Sequence, residues 1–194
     1  MQSIELRRVC VYCGSNPGKD PAYIEAARRL GTLLGERGIT LVYGGSNSGT
    51  MGVVADAVLA AGGEVYGVIT EALVMRKRAH NGLTRLKVVQ SMHERKAGMA
   101  ELGDAFIALP GGMGTLDEFF EAVTWAQLGI HQKPCGLLNV NGYYDGLRAF
   151  LQHAVDQGFV HPAHCEMIMI EEDPARLLDR FAAYVPPVVD KLLG

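Results

Sequence analysis

Short apolar runs alternate along this chain with longer stretches of helical periodicity. Arg8–Tyr12 reads as a buried strand, Cys13-Gly-Ser-Asn-Pro-Gly breaks it, and Ala22–Glu36 takes up a helical period that ends at Gly38. Ile39–Tyr43 predicts a second strand, Val53–Ala61 an alanine-rich helix stopped by Gly62-Gly63, and Val65–Ile69 a third strand. The polar stretch Leu73–Thr84 matches neither period, after which Leu86–Val89 extends and Ser91–Leu102 is helical. Ala105–Leu109 is the most apolar strand, followed by a Thr115–Leu128 helix, a Cys135–Asn139 strand and a Tyr143–Gln157 helix. An apolar Met167–Ile170 segment and a Pro174–Tyr184 helix close the pattern. Strands that are apolar throughout and alternate with helices predict an α/β fold, a doubly wound, mostly parallel Rossmann-like sheet with helices on both faces.

Glycine loops follow the strands at Gly14, at Gly44–Gly52 and at Gly111–Gly114, so all are expected at the carboxyl edge of the sheet, where one crevice could hold them. The sharpest lies in Phe106-Ile-Ala-Leu-Pro-Gly-Gly-Met-Gly-Thr-Leu-Asp-Glu-Phe-Phe-Glu121. Backbone amides of Gly111, Gly112, Gly114 and Thr115 can crowd around an anion there, and the next helix points its positive end at the same spot. Thr115 and Glu118 also spell a capping box, which any helix could use for its first amides. Ser91 and Glu94 spell a second one, just before Arg95 and Lys96. Cations in a first helical turn oppose the macrodipole by a few tenths of a kcal/mol or more each, so either a negative group offsets them or they are solvated.

Other chemistries lose their support. No G-x-G-x-x-G occurs, since Asp117 stands where Gly112-Met-Gly114 would need its last glycine, and Gly44–Gly49 has Thr50 in place of the Walker lysine. Cys10 and Cys13 form C-x-x-C, but their spacing along a strand aims them at opposite faces. His161, His164 and Cys165 lack an evident further ligand, so no metal and no cofactor is expected. Met92, Met99, Phe119, Phe120 and Val123 read as packing faces at helical spacing.

The 194 residues, 48% hydrophobic and 20% charged, suit one domain spanning 1–194. A formal charge of -3 with no cationic tract interleaved with aromatics argues against nucleic acid as a partner; Arg76-Lys77-Arg78 is the only basic run. The few cysteines, the absence of a signal-like start before the first strand and the short apolar runs predict a cytoplasmic protein without a membrane partner. Trp125 and Gln127-Leu-Gly-Ile-His131 are candidates for a self-association surface, and a homodimer is expected.

Pro110-Gly-Gly-Met-Gly-Thr-Leu-Asp-Glu118, together with Met92-His-Glu-Arg-Lys96, resembles the LOG proteins, the cytokinin riboside 5'-monophosphate phosphoribohydrolases. The resemblance extends through Cys13-Gly-Ser, Val42-Tyr-Gly-Gly, Trp125-Ala-Gln-Leu-Gly-Ile-His and Gly136-Leu-Leu-Asn-Val-Asn-Gly-Tyr-Tyr, and so covers nearly the whole chain. It implies hydrolysis of the N-glycosidic bond of a purine nucleoside 5'-monophosphate to free base and ribose 5-phosphate. Related sequences are often labelled lysine decarboxylases, but no lysine here follows a motif for a Schiff-base cofactor.

On this reading Arg95 and Glu118 are the catalytic candidates, Glu118 stabilising the positive anomeric carbon or orienting the attacking water. Substrate contacts are expected from Gly14, Ser15, Gly44, Gly45, Lys96, Gly111, Gly112, Met113, Gly114, Thr115, Glu121 and Thr124. Because Arg95 sits at a helix start, Arg95→Ala is expected to lower catalysis far more than stability. Lys77 stands where bacterial relatives usually show a glutamate that contacts substrate, which leaves the preferred base open. The competing reading is a non-catalytic carrier of a nucleotide or phosphorylated cofactor, because a fold does not fix a function.

Overall fold

The computed structural model describes residues 5–187. In chain order the elements are β1 (Arg8–Tyr12), α1 (Pro21–Glu36), β2 (Thr40–Tyr43), α2 (Gly49–Ala60), β3 (Val65–Thr70), α3 (Glu71–Met75), β4 (Arg85–Val89) and α4 (Met92–Leu102). There follow β5 (Ala105–Ala108), α5 (Met113–Gln127), β6 (Cys135–Leu138), α6 (Asp145–Asp156), α7 (Pro162–Glu166), β7 (Ile168–Glu171) and α8 (Pro174–Ala182). The strands form one seven-stranded sheet in the order β4-β3-β2-β1-β5-β6-β7, parallel throughout.

Residues of the central strands alternate between two apolar layers, which is why those strands carry almost no polar positions, while the edge strand β4 exposes Arg85 and Lys87. Val9, Val11, Leu41 and Ile107 face Leu30 and Leu34 of α1, Val54 and Val58 of α2, and Leu177 and Phe181 of α8. Cys10, Tyr12, Val42 and Phe106 face Met99 of α4, Phe119 and Val123 of α5, and Leu151 of α6. Each fully buried Leu or Phe contributes about 1.5–3 kcal/mol, so these layers dominate the stability. Cys10 and Cys13 fall in opposite layers, as their spacing requires. Burial pushes the Cys13 thiol up to about 12, which leaves it a poor nucleophile.

Close helix packing sets the crevice. A Cβ on Gly31 of α1 would lie 2.5 Å from the Val54 carbonyl, so α1 and α2 approach nearly to backbone contact. That brings Gly49, at the start of α2, against the loop after β1, where a Cβ would sit 2.5 Å from Ser15. The chain leaves β1 toward β2 on one side of the sheet and reaches β5 on the other side. The crevice between the carboxyl ends of β1 and β5 is therefore the topological switch point at which folds of this class bind ligands.

Candidate active site

The loop after β1 and the loop between β5 and α5 meet across this crevice. Gly14 N–H donates to the Pro110 carbonyl at 3.3 Å, and a Gly14 Cβ would stand 3.5 Å from Gly111 Cα. Thr50 in the first turn of α2 donates to the Gly14 carbonyl at 2.9 Å and fixes the first loop from behind. The resulting cavity of about 480 Å³ is lined by Gly14, Ser15, Gly111, Gly112, Met113, Gly114, Thr115, Arg95 and Glu118, with Tyr23, Met51, Met92 and Tyr143 among the remaining walls. That volume suits a small molecule of nucleotide size.

The third glycine loop ends at α5 in an unusual way. Gly112 is the N-cap, no side chain caps the helix, and the first backbone bond inside it runs from Leu116 to the Gly112 carbonyl. The amides of Met113, Gly114 and Thr115 therefore meet no acceptor among the described residues. The capping-box reading of Thr115 and Glu118 is corrected here: the helix begins at Met113, so Thr115 lies inside the first turn, and the Glu118 carboxylate turns to Arg95 instead. Thr115 is buried beneath Gly111, where a Cβ would come 2.1 Å from Thr115 Oγ1. At Gly112 and Gly114 a Cβ would meet nothing within 4 Å, so the chain's own packing does not call for glycine there. An uncapped helix start floored by such glycines can cradle an anion.

Beside the cradle lies a buried ion pair. Arg95 Nη1 donates to Glu118 Oε1 at 2.7 Å, Nε to the Val68 carbonyl at 3.1 Å and Nη2 to the Gly44 carbonyl at 3.2 Å. Arg95 is only 5% exposed, which overturns the expectation that it is a surface side chain at a helix start. Its place in the sequence left a negative partner or solvation open; the negative partner is Glu118, and carbonyls of Gly44 after β2 and Val68 within β3 supply the desolvated guanidinium with further acceptors. Gly44 is glycine because a Cβ would stand 1.7 Å from Arg95 Nη2. Burial raises the Glu118 carboxyl above its ordinary value, and the Arg95 charge works against that rise.

Several expected contacts fall outside the crevice. Gly45 turns the chain behind β2 with φ 71°, and its carbonyl accepts from His80 N–H. Of the second glycine loop only Met51 reaches the cavity; the rest supports the first loop and Arg95. Lys96 Nζ bridges Asp117 Oδ2 at 3.1 Å and Glu121 Oε1 at 3.2 Å, so α5 carboxylates offset the cation that the α4 dipole disfavours. Thr124 Oγ1 donates to the Phe120 carbonyl along its own helix. Lys77 is exposed with φ 55° in the turn after α3, and only Arg78 of that run ties to the second loop, at Ser48 Oγ. Tyr23 and Tyr143, which do line the cavity, were missed by the sequence reading.

Among the described residues no group of His, Cys, Asp and Glu side chains is gathered as a metal site, and no helix is long and apolar enough to cross a membrane. A family model described as "possible lysine decarboxylase" matches residues 51–181. A rice protein (Oryza sativa subsp. japonica) named a probable cytokinin riboside 5'-monophosphate phosphoribohydrolase, LOGL5, is 53% identical over 185 residues, covering 95% of this chain and 75% of the relative. The Arabidopsis thaliana cytokinin riboside 5'-monophosphate phosphoribohydrolase LOG7 is 50% identical over 181 residues, covering 93% and 83%. The chain belongs to the LOG family. A solved molybdenum cofactor binding protein from Rippkaea orientalis shares the fold, with a TM-score of 0.69 at 22% identity over 91% of this chain and 96% of that one. The decarboxylase label on this LOG chain has no Schiff-base group to act through: no lysine lines the crevice among the described residues, and Lys96 is held by two carboxylates outside it.

Proposed function

We propose that this LOG protein is a nucleoside 5'-monophosphate phosphoribohydrolase, cleaving the N-glycosidic bond of a purine nucleotide of the adenosine or cytokinin type to free base and ribose 5-phosphate. The observation that carries the reading is the juxtaposition of the uncapped α5 start with a buried carboxylate one turn further along the same helix. A 5'-phosphate on the amides of Gly112, Met113, Gly114 and Thr115, flanked by Gly14 and Ser15, lays the ribose over the first turn of α5. Glu118 then faces the sugar. As the bond from the anomeric carbon to the base breaks, the electron pair leaves with the purine and positive charge grows on the sugar. The Glu118 carboxylate stabilises that charge and orients the incoming water, which adds to the anomeric carbon and gives up a proton while the departing purine takes one up.

The Arg95 charge favours the ionised form of Glu118 against burial, and its hydrogen bond fixes the carboxylate's rotamer, so Arg95 acts beside the chemistry and not on the phosphate. Lys96, with Asp117 and Glu121, holds α4 to α5, and Gly44 admits the Arg95 guanidinium. The reading includes one domain working in the cytoplasm as a homodimer, for which the exposed Leu128 and Ile130, just past the end of α5, supply apolar side chains. Light scattering on the purified protein tests the dimer. The activity is tested by incubating the protein with AMP and N6-isopentenyl-AMP and resolving free base and ribose 5-phosphate by chromatography. Release from either nucleotide, absent in Glu118→Gln, supports the hydrolase and ranks the bases; binding of both without release replaces it with a non-catalytic carrier.

A further inference from the structure

The connection between β6 and α6 touches both walls of the crevice, and no role in the reaction has yet been assigned to it. Its backbone is unusually constrained. Asn141 and Gly142 are both left-handed, with φ 50° and 72°, and the Asn139 side chain accepts from Tyr144 N–H at 2.7 Å while donating to Asp145 at 2.8 Å. On one side Asn141 Nδ2 donates to Asp20 Oδ2 at 3.0 Å, and Asp20 also caps α1 through Ala22 N–H, where the first crevice loop ends. On the other side Tyr143 Oη donates to the Gly111 carbonyl at 2.6 Å and Tyr144 Oη to the Leu109 carbonyl at 2.7 Å. The Tyr143 ring is set edge-on to Tyr23, with centroids 5.5 Å apart, at the cavity wall.

Peptide planarity gives these contacts a direction. The Gly111 carbonyl and the Gly112 N–H belong to one rigid unit and point opposite ways, so the bond from Tyr143 sets where the Gly112 amide aims. The Pro110 carbonyl, held by Gly14 N–H, fixes the Gly111 amide in the same manner. The Leu109 carbonyl shares its plane with Pro110, which has no N–H, so the Tyr144 bond orients no donor. We infer that Tyr143 is a positioning residue for the substrate's 5'-phosphate, a strut that holds the Gly112 amide on the cradle and ties the two walls of the crevice at a set width. This rests on the phosphoribohydrolase reading for the identity of the anion.

The phosphate lies far from the breaking bond and is held alike in ground and transition states, so the loss should fall on binding and not on the chemical step. Dissociation constants for AMP, ribose 5-phosphate and adenosine are measured by calorimetry in Glu118→Gln, which leaves the nucleotide intact, with and without Tyr143→Phe. The tyrosine ring stays and only its hydroxyl is lost. Affinity for AMP and ribose 5-phosphate is expected to fall about five- to tenfold, the scale of one hydrogen bond, with adenosine unchanged. Tyr144→Phe should lower the melting temperature, because its hydroxyl is buried, yet leave the AMP-to-adenosine ratio where it was. An equal loss for adenosine, an unchanged ratio in Tyr143→Phe, or the same shift in Tyr144→Phe overturns the strut. The two readings fail separately: AMP binding without base release by the wild type sinks the hydrolase while the ratio still reports on the strut, and base release with an unmoved ratio sinks the strut alone.

Discussion

Replacing Arg95 by methionine should destabilise this protein severely, contrary to what its place at the start of a polar helix implies. The substitution keeps most of the apolar stem and removes the guanidinium, leaving Glu118, 12% exposed at its side chain, as a buried carboxylate without its partner. It also strips the Gly44 and Val68 carbonyls of their donors. Breaking a buried ion pair from one side costs about 3–5 kcal/mol, a large share of the roughly 5–15 kcal/mol that holds a domain together. With a urea slope of about 2 kcal/mol/M, the unfolding midpoint should fall by about 1.5–2.5 M at neutral pH with the slope unchanged.

The pH dependence has a defined sign. Glu118 already titrates above its ordinary value because of burial, and removing Arg95 takes away the charge that opposed this. A carboxyl raised in the folded state favours the protonated fold. Its contribution is full below the unfolded value near about 4.3 and is lost as pH rises through the folded value. The penalty of Arg95→Met should therefore shrink at pH 5.5 relative to pH 7.5 (about one to three units above the unfolded carboxyl). The double variant Arg95→Met/Glu118→Met should regain most of the loss, since an apolar pair of similar volume often matches a buried salt bridge. A single variant within about 1 kcal/mol of wild type, or a penalty that grows on acidification, would refute the view that this pair is buried and mutually dependent.

Gly112→Val should abolish AMP binding while moving stability by no more than about 1 kcal/mol, since its Cβ meets nothing in the fold; undiminished affinity in calorimetry would remove the cradle from the account. Gly111→Ala, by contrast, should lower the melting temperature, because its Cβ runs into the Thr115 side chain. The acid limb of kcat/KM should lie above the ordinary glutamate range. Asp117→Asn should move it to lower pH, since the Asp117 charge helps to raise Glu118, and an upward move in the pH–rate profile would detach that limb from Glu118.

The central strands were legible because both their faces are buried: Ala105–Ala108 has no exposed position and therefore no polar interruption, whereas the edge strand Arg85–Val89 is exposed at four of its five residues. Helix starts were less so. The second helix begins at Gly49 and not at Val53, because the glycines that resemble a loop are there for close contact; a Cβ on Gly52 would lie 2.5 Å from the Asn47 carbonyl. The short helix Pro162–Glu166 was missed for want of a full period. At the site, the uncapped glycine loop and the place of Glu118 on the helix after it could be read locally, since one loop and one helical turn carry them. The burial of Arg95 could not, because two of its acceptors lie 27 and 51 residues away in sequence, within β3 and just after β2. Tyr143 was hidden for the same reason, its partner Gly111 being 32 residues distant, although the Gly142-Tyr143-Tyr144 cluster after a buried strand was a signal that two aromatic hydroxyls needed acceptors.

A fold shared with a cofactor-binding protein raises the question of what separates holding a phosphate from using it. The cradle alone suffices for holding. On the proposed reading Glu118 adds nothing to that task, because a carboxylate near a bound phosphate repels it and its burial, which raises the carboxyl, disfavours the charged form. Beyond its pairing with Arg95, a negative group that weakens the ground state serves a reaction in which positive charge develops later, as on a sugar losing its base. Glu118→Gln should lose stability, because it breaks the pair with Arg95 from the other side, yet the folded variant should bind AMP at least as tightly as the wild type, since Arg95 keeps an acceptor and the repulsion is gone, while base release falls by a factor of about 100 or more. Affinity and turnover falling together in that variant would mean that Glu118 serves binding and would return the protein to the class of carriers. Turnover lost with affinity kept or improved is the signature of a residue whose interaction strengthens only as the glycosidic bond breaks.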